Sequence, residues 1–124
     1  MAAYTGPVID THHHIWRRAD IPWLADPPVP RMYGEYFGLR RDYPIEEFLQ
    51  DAGEQSIVKS VHVTANWGVD RALDETRWLQ SVADKHGFPH GIVCEADITD
   101  LDLDAKLKAQ TQFPNLRGVR QQVF

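Results

Sequence analysis

The sequence has 124 residues, of which 43% are hydrophobic and 25% charged, a balance typical of one modest globular domain rather than a disordered chain. Its formal net charge is −5 and its basic residues do not cluster, which argues against a nucleic-acid partner. One cysteine, no signal-peptide pattern and no apolar run of about 20 residues predict a cytoplasmic protein without an intrachain disulfide or a membrane span.

The first part of the chain predicts a strand followed by a long loop. The apolar run 7–11 follows a Gly-Pro break and is typical of a buried strand. Residues 15–43 are irregular and contain four prolines and many aromatic residues. A loop of this length is uncommon in a compact domain and is usually functional. We expect it either to form a wall over a pocket or to fill a groove between the sheet and its helices.

The remainder of the chain alternates helices and strands. Apolar residues at helical spacing predict a helix that begins at Pro44 and ends at Gly53. A strand then follows, and after it a helix that Asp70 can cap and Gly87 ends. The predicted segments after the first helix are 57–63, 71–86, 91–96, 102–112 and 116–123. This alternation predicts right-handed βαβ units and a parallel sheet.

Three histidines follow the first strand. His12 and His14 are two residues apart on an extended backbone, so both should project to one side at the strand end where α/β active sites form. Two imidazoles at this spacing can hold a divalent ion such as Zn²⁺. His13 points the other way, and Asp10, in phase with the pair, is expected to support it. The alternative is a surface cluster. His62, within the second strand, is either a core histidine or part of the site.

Four other residues are candidates for contacting a substrate. Arg120 lies towards the end of the predicted fourth strand, where its guanidinium either clamps a substrate carboxylate or pairs with Glu95. Trp16 is the aromatic residue of the long loop nearest to the histidine pair in sequence. Asn66 and Trp67 follow the second strand, at the same predicted edge of the sheet. These positions predict a small-molecule site at the carboxyl ends of the strands.

Four segments of the chain, 8–16, 75–79, 96–98 and 116–121, resemble one protein family. They are similar to segments of the amidohydrolase-related proteins (the amidohydrolase 2 family), in particular to its lactonases. The resemblance covers nearly the whole chain and implies a TIM-type (β/α)8 barrel, of which residues 1–124 would form the N-terminal half. It implies His12 and His14 as first-strand metal ligands. The other ligands, and an eighth-strand aspartate as general base, would then lie outside this chain.

The resemblance also implies a reaction. It points to metal-assisted hydrolysis of a lactone or similar cyclic ester, with a carboxylate on the substrate. Some lactonases of the family work without a metal, in which case the histidine pair would hold the substrate carbonyl. A metal-dependent decarboxylase is the alternative within the superfamily. A half barrel is expected to be inactive alone and to associate with the missing half or form a homo-oligomer, because it leaves a sheet edge uncovered. A small open α/β domain is the alternative architecture.

Overall fold

The computed structural model describes residues 2–123 and contains one parallel sheet covered by helices. The strands are β1 (Val8–His13), β2 (Ile57–Val63), β3 (Gly91–Glu95) and β4 (Leu116–Arg120). The helices are α1 (Pro22–Ala25), α2 (Ile45–Ala52), α3 (Ala72–His86) and α4 (Leu103–Gln110). Short 3-10 turns occupy Arg18–Asp20, Phe37–Leu39 and Val69–Arg71. Within residues 2–123, the helices are all too short or too polar to cross a membrane.

The strands lie in the order β1-β2-β3-β4, and each neighbouring pair is parallel. This order confirms the predicted α/β class and its βα connections. A closed barrel, of which these strands would form about half, stays a prediction. The βα units follow from the local sequence, because apolar strands are separated by helices, of which α2 and α3 present an apolar stripe to the sheet.

Several element ends differ from the predicted ones. β1 continues to His13, whereas β4 ends at Arg120, three residues before the predicted limit. The predicted cap of α3 by Asp70 was wrong, because this residue lies in a 3-10 turn and α3 starts after Arg71 without a side-chain cap. Gly87 ends α3 as predicted, in the left-handed conformation that glycine adopts without strain (φ +78°).

The main core joins the sheet to α2 and α3. It consists of Ile15, Ile45, Phe48, Leu79 and Ile92. Leu79 and Ile92 are fully buried, and burial of a side chain of this kind contributes about 1.5–3 kcal/mol. The helices therefore cover one face of the sheet and leave its strand ends to the loops.

A second core holds the long loop 15–43 against the carboxyl ends of the strands. It consists of Ile21, Leu24, Tyr36, Ala65 and Trp67. The two ends of the loop meet in an antiparallel bridge, in which Trp16 and Tyr43 exchange backbone hydrogen bonds of 2.9 and 2.8 Å. The loop is thus a packed part of the fold that lies beside the predicted site.

Candidate functional site

A bulge in β1 sets the directions of its side chains. Asp10 pairs with Ser60 of β2 and His13 pairs with His62, so β1 advances three residues while β2 advances two. An extra residue shifts the alternation of a strand beyond it. Asp10 therefore shares a face with His13, not with His12 as simple alternation predicts. The Asp10 carboxylate instead accepts the backbone N–H of His12 at 3.0 Å, within the bulge.

His12 lies within the bulge and His14 just beyond it, and their rings are side by side. Their ring centroids are 5.1 Å apart and the rings are nearly perpendicular. The Nδ1 of His14 lies 2.6 Å from the carbonyl oxygen of Val63. A carbonyl only accepts, so Nδ1 carries the proton and Nε2 keeps a lone pair for a ligand. Burial lowers the pKa of His14 against the opposing effect of this hydrogen bond, which favours the neutral ring that a metal requires.

His13 and His62 lie between the sheet and α2. The ring of His13 stacks on Phe48 with centroids 4.0 Å apart, and His62 is fully buried with its Nε2 donating to the carbonyl of Ile15 at 3.2 Å. Burial lowers the pKa of His13 to about 4 and that of His62 well below its usual value. Both rings are neutral packing groups, and the structure places His62 in the core.

The two outward histidines fit part of a zinc site. A catalytic zinc ion is held by three protein ligands and keeps one position open. Among residues 2–123, no three His, Cys, Asp or Glu side chains come together in a group that could hold a metal ion. His12 and His14 can supply at most two nitrogen ligands, and a complete site of this kind needs at least one more.

A cleft of about 290 Å³ opens beside His14 at the strand ends. Its walls include His14, Trp16, Trp23, Asn66 and Arg120. The fold therefore brings one of the predicted ligands together with three of the four residues predicted to contact a substrate. Trp23 was not singled out by the sequence, and its indole N–H donates to the carbonyl of Ala65 at 3.2 Å. That bond ties the long loop to the segment after β2.

Arg120 lies in the cleft wall without an ion-pair partner in the part of the chain that the structure describes. Glu95 is its neighbour across the β3–β4 register, but the Glu95 carboxylate accepts the N–H of Gly68 at 3.1 Å. The positive charge of Arg120 contributes to the lowered pKa of His14. A guanidinium in this position can bind a substrate carboxylate through two parallel hydrogen bonds.

Asn66 and Trp67, adjacent in sequence, have different surroundings. Asn66 lines the cleft, and its side-chain amide donates to Gln122 at 2.6 Å. Trp67 is only 2% exposed and does not line the cleft. Its ring packs against Trp78 at 5.7 Å, with the guanidinium of Arg71 4.8 Å from its centroid. The structure thus gives Trp67 a packing position in the second core instead of a substrate contact.

Glu75, in the first turn of α3, is a buried residue that the sequence analysis did not single out. It is 2% exposed, and its carboxylate accepts the N–H of Ala65 at 3.2 Å. Burial raises the pKa of this carboxyl to about 7, against hydrogen bonds from Thr64, Ala65 and Trp67 that lower it. Its position in the sequence could have indicated this burial, because Glu75 lies four residues before Leu79, within the apolar stripe of the helix.

Comparisons with known proteins place this geometry in context. No family model matches the chain. An uncharacterized protein of Sinorhizobium fredii, y4mH, is 44% identical over 116 residues, which cover 92% of this chain and 39% of that protein. The fold is similar to the crystal structure of an amidohydrolase from Burkholderia multivorans with bound zinc, with a TM-score of 0.66, 31% identity and coverage of 92% of this chain and 36% of that one. The chain thus spans under two fifths of each protein's length, and the similarity supports a place in the metal-dependent hydrolase superfamily.

Proposed function

We propose that this chain forms part of the active site of a metal-assisted hydrolase, with His12 and His14 as ligands of a divalent ion, Zn²⁺. We further propose a lactone or similar cyclic ester that carries a carboxylate as its substrate. The observation that carries this proposal is the pair of imidazoles, 5.1 Å apart, beside a cleft that also contains Arg120. The zinc bound to the similar amidohydrolase supports the choice of metal.

Each residue of the cleft has a distinct task in this proposal. A bound divalent ion polarises the ester carbonyl and makes water more acidic. His14 offers a neutral Nε2 because the carbonyl of Val63 holds the proton on Nδ1. Arg120 binds the substrate carboxylate and so orients the ring to be opened. Trp16 and Trp23 form an apolar wall against which a flat ring can pack.

The remaining groups are proposed to come from outside these residues. The described chain offers two imidazoles and no third ligand beside them, and the similar proteins are more than twice as long. We assign the other ligands and the general base to the rest of the protein. Exposed apolar side chains on the strands, Ile9 (55%), Val58 (47%) and Val119 (42%), favour packing against such a segment or a second copy.

Zinc titration calorimetry tests the metal site. His12→Asn and His14→Asn should each weaken zinc binding at least about tenfold, because each removes one of two imidazole ligands. His86→Asn is the matched control, because His86 ends α3 and its Nε2 lies 3.4 Å from Glu46, on another part of the fold. Equal zinc affinity in all three variants and the wild type would reject the metal site.

Product analysis tests the reaction class. Turnover is measured on this chain and on the full-length Sinorhizobium fredii relative, of which the chain spans 39%. Zinc-dependent proton release from carboxylated lactones, without carbon dioxide, is the expected result. Carbon dioxide release from aromatic acids would favour a decarboxylase in place of the lactonase. No turnover of any lactone by the zinc-loaded full-length protein would reject the proposed substrate class.

A further inference from the structure

One buried carboxylate holds the turn that follows β2. Glu75 accepts the N–H of Ala65 at 3.2 Å, and the hydroxyl of Thr64 and the N–H of Trp67 lie near enough to lower the pKa of its carboxyl. Thr64 is 1% exposed and Trp67 is 2% exposed, so water cannot easily replace Glu75 at these donors. Three donors within one four-residue turn thus converge on a single side chain of α3.

The conformation of this turn is unusual at Asn66. Its φ is +60°, in the left-handed region, which is uncommon for a residue other than glycine and persists where neighbours hold it. The backbone N–H of Asn66 donates to the hydroxyl oxygen of Thr64 at 3.0 Å. Because that hydroxyl is also a partner of Glu75, the carboxylate and the strained residue belong to one network.

The same turn fixes two other walls of the cleft. The carbonyl of Val63, one residue before the turn, accepts the Nδ1 proton of His14, and the carbonyl of Ala65 accepts the indole proton of Trp23. The backbone of 63–66 therefore contacts the metal-site strand on one side and the long loop on the other. A shift of this backbone would move His14, Trp23 and Asn66 together.

We propose that Glu75 is a positioning residue for the cleft, whose carboxylate holds the turn 64–67 in the conformation that places Asn66 and Trp23 in the cleft wall. This proposal rests on the proposed function only in assuming that Asn66 and Trp23 contact a substrate. The stabilisation of the turn 64–67 by Glu75 does not depend on the proposed function.

The chemistry of the three donors explains why a carboxylate occupies this position. An ionised carboxylate only accepts hydrogen bonds, so both oxygens are available to the N–H and O–H groups of the turn. An amide would turn a donor toward these donors, and an apolar side chain would leave buried groups unsatisfied. Burying the charge is costly, and the negative charge of Glu95 on β3 adds to that cost. The donors of the turn offset part of this cost, and the pKa of Glu75 stays raised.

Amide hydrogen exchange measured by NMR tests this role. At pH 8, where Glu75 is mostly ionised, Glu75→Gln should speed exchange at the amides of Ala65 and Trp67 at least about tenfold, because a charge-assisted hydrogen bond of about 1.5–3 kcal/mol is lost. Exchange at Leu79, in the middle of α3, should change less than about twofold if only the local turn opens. Glu75→Asp keeps the charge on a shorter stem and should give intermediate rates.

Thr76→Ala is the matched control. Thr76 is the next residue of α3, is 1% exposed, and bonds the carbonyl of Ala72 within its own helix. It should lower stability without a selective effect on the turn. Unchanged exchange at Ala65 and Trp67 in Glu75→Gln, or equal acceleration in Thr76→Ala, would overturn the positioning role.

A pH titration of the wild type provides a test that needs no variant. The amide signals of Ala65 and Trp67 and the indole N–H signal of Trp23 should move together through one transition as Glu75 gains its proton. Glu95 and the Cys94 thiol, both on β3, are the ionisable groups close to Glu75. Signals that stay constant while Glu75 titrates would overturn the proposal.

These measurements separate the two proposals. Exchange and titration require neither zinc nor turnover. A protein whose turn depends on Glu75, but which neither binds zinc nor opens a lactone, rejects the proposed function alone. A protein that binds zinc and hydrolyses lactones while its turn is unaffected in Glu75→Gln rejects the positioning role alone.

Discussion

His14 donates its Nδ1 proton to the carbonyl oxygen of Val63 across 2.6 Å, and this bond joins the end of β1 to the end of β2. It fixes both the tautomer and the orientation of the ring, as outer hydrogen bonds do for histidine ligands of metals. Burial adds to this by lowering the pKa of the ring. The Nε2 of His14 thus keeps an unshared lone pair, as the proposed metal site requires.

Adjacent histidines should respond differently to substitution. His13→Asn should lower the free energy of unfolding by about 1–3 kcal/mol, because it removes a buried ring and leaves a cavity. It should leave zinc affinity within about twofold, because the ring stacks on Phe48 and not beside His12. Urea denaturation and zinc calorimetry on the same samples check both effects. Loss of zinc binding in His13→Asn would contradict the placement of His13 on the opposite side of the strand from His12 and His14.

The packing of the long loop 15–43 should depend on the indole N–H of Trp23. Trp23→Phe keeps an aromatic ring but removes the donor to Ala65, so it should cost about 1 kcal/mol of unfolding free energy. Trp16→Phe is the control, because its indole bonds the carbonyl of Arg41 in an exposed setting where water can replace it. Urea denaturation should show the larger loss for Trp23→Phe. A larger loss for Trp16→Phe would mean that the base of the loop, rather than its contact with the turn, holds it in place.

The sequence could predict the strands, the helices and their alternation because periodicity is a local property. The strand 57–63 and the helix from Pro44 to Gly53 follow directly from spacing and end signals. It could not predict the phase of Asp10, because a bulge depends on pairing with β2. The rings of His12 and His14 nevertheless lie side by side, with centroids 5.1 Å apart, as the sequence predicts.

The positions of Trp67 and Glu75 differ from those expected from the sequence because of tertiary packing. Trp67 follows a strand, where local reasoning places it near a substrate, but contact with Trp78 on α3 buries it. Glu75 has the ordinary place of an acidic residue in the first turn of a helix. Its burial depends on the turn 64–67 folding over it, and that contact joins residues ten positions apart.

Arg120 should determine the preference for a charged substrate. Once the proposed remaining ligands are supplied, Arg120→Met should raise KM for a carboxylated lactone at least about tenfold, because a charge-assisted contact is lost. KM for a lactone without a carboxylate should stay within about twofold, because such a substrate makes no contact with the guanidinium. Arg120→Lys should recover part of the affinity, since it restores the charge but not the planar fork. Equal increases in KM for both substrates would show that Arg120 shapes the cleft instead of binding the carboxylate.

Glu75 should also make stability depend on pH. Because burial raises its pKa to about 7 from an ordinary value of 4.5, the folded state holds this proton more tightly than the unfolded state. The contribution of Glu75 is therefore full below about pH 4.5, falls as the pH rises, and is lost above about pH 7, a change of about 3 kcal/mol. His13, whose pKa burial lowers to about 4, has the opposite slope between about pH 4 and 6.5.

The difference between wild type and Glu75→Gln isolates the carboxyl group, because the histidines contribute equally to both. Urea denaturation at pH 5 and pH 8 should show the glutamine variant gaining about 2–3 kcal/mol relative to wild type as the pH rises, since an amide does not ionise. The hydrogen bonds that the ionised carboxylate accepts are already included in its pKa of about 7, so they add nothing further to this slope. Thr76→Ala, which alters no ionisable group, should differ from wild type by a constant amount. A constant difference for Glu75→Gln as well would mean that Glu75 keeps an ordinary pKa in the folded protein.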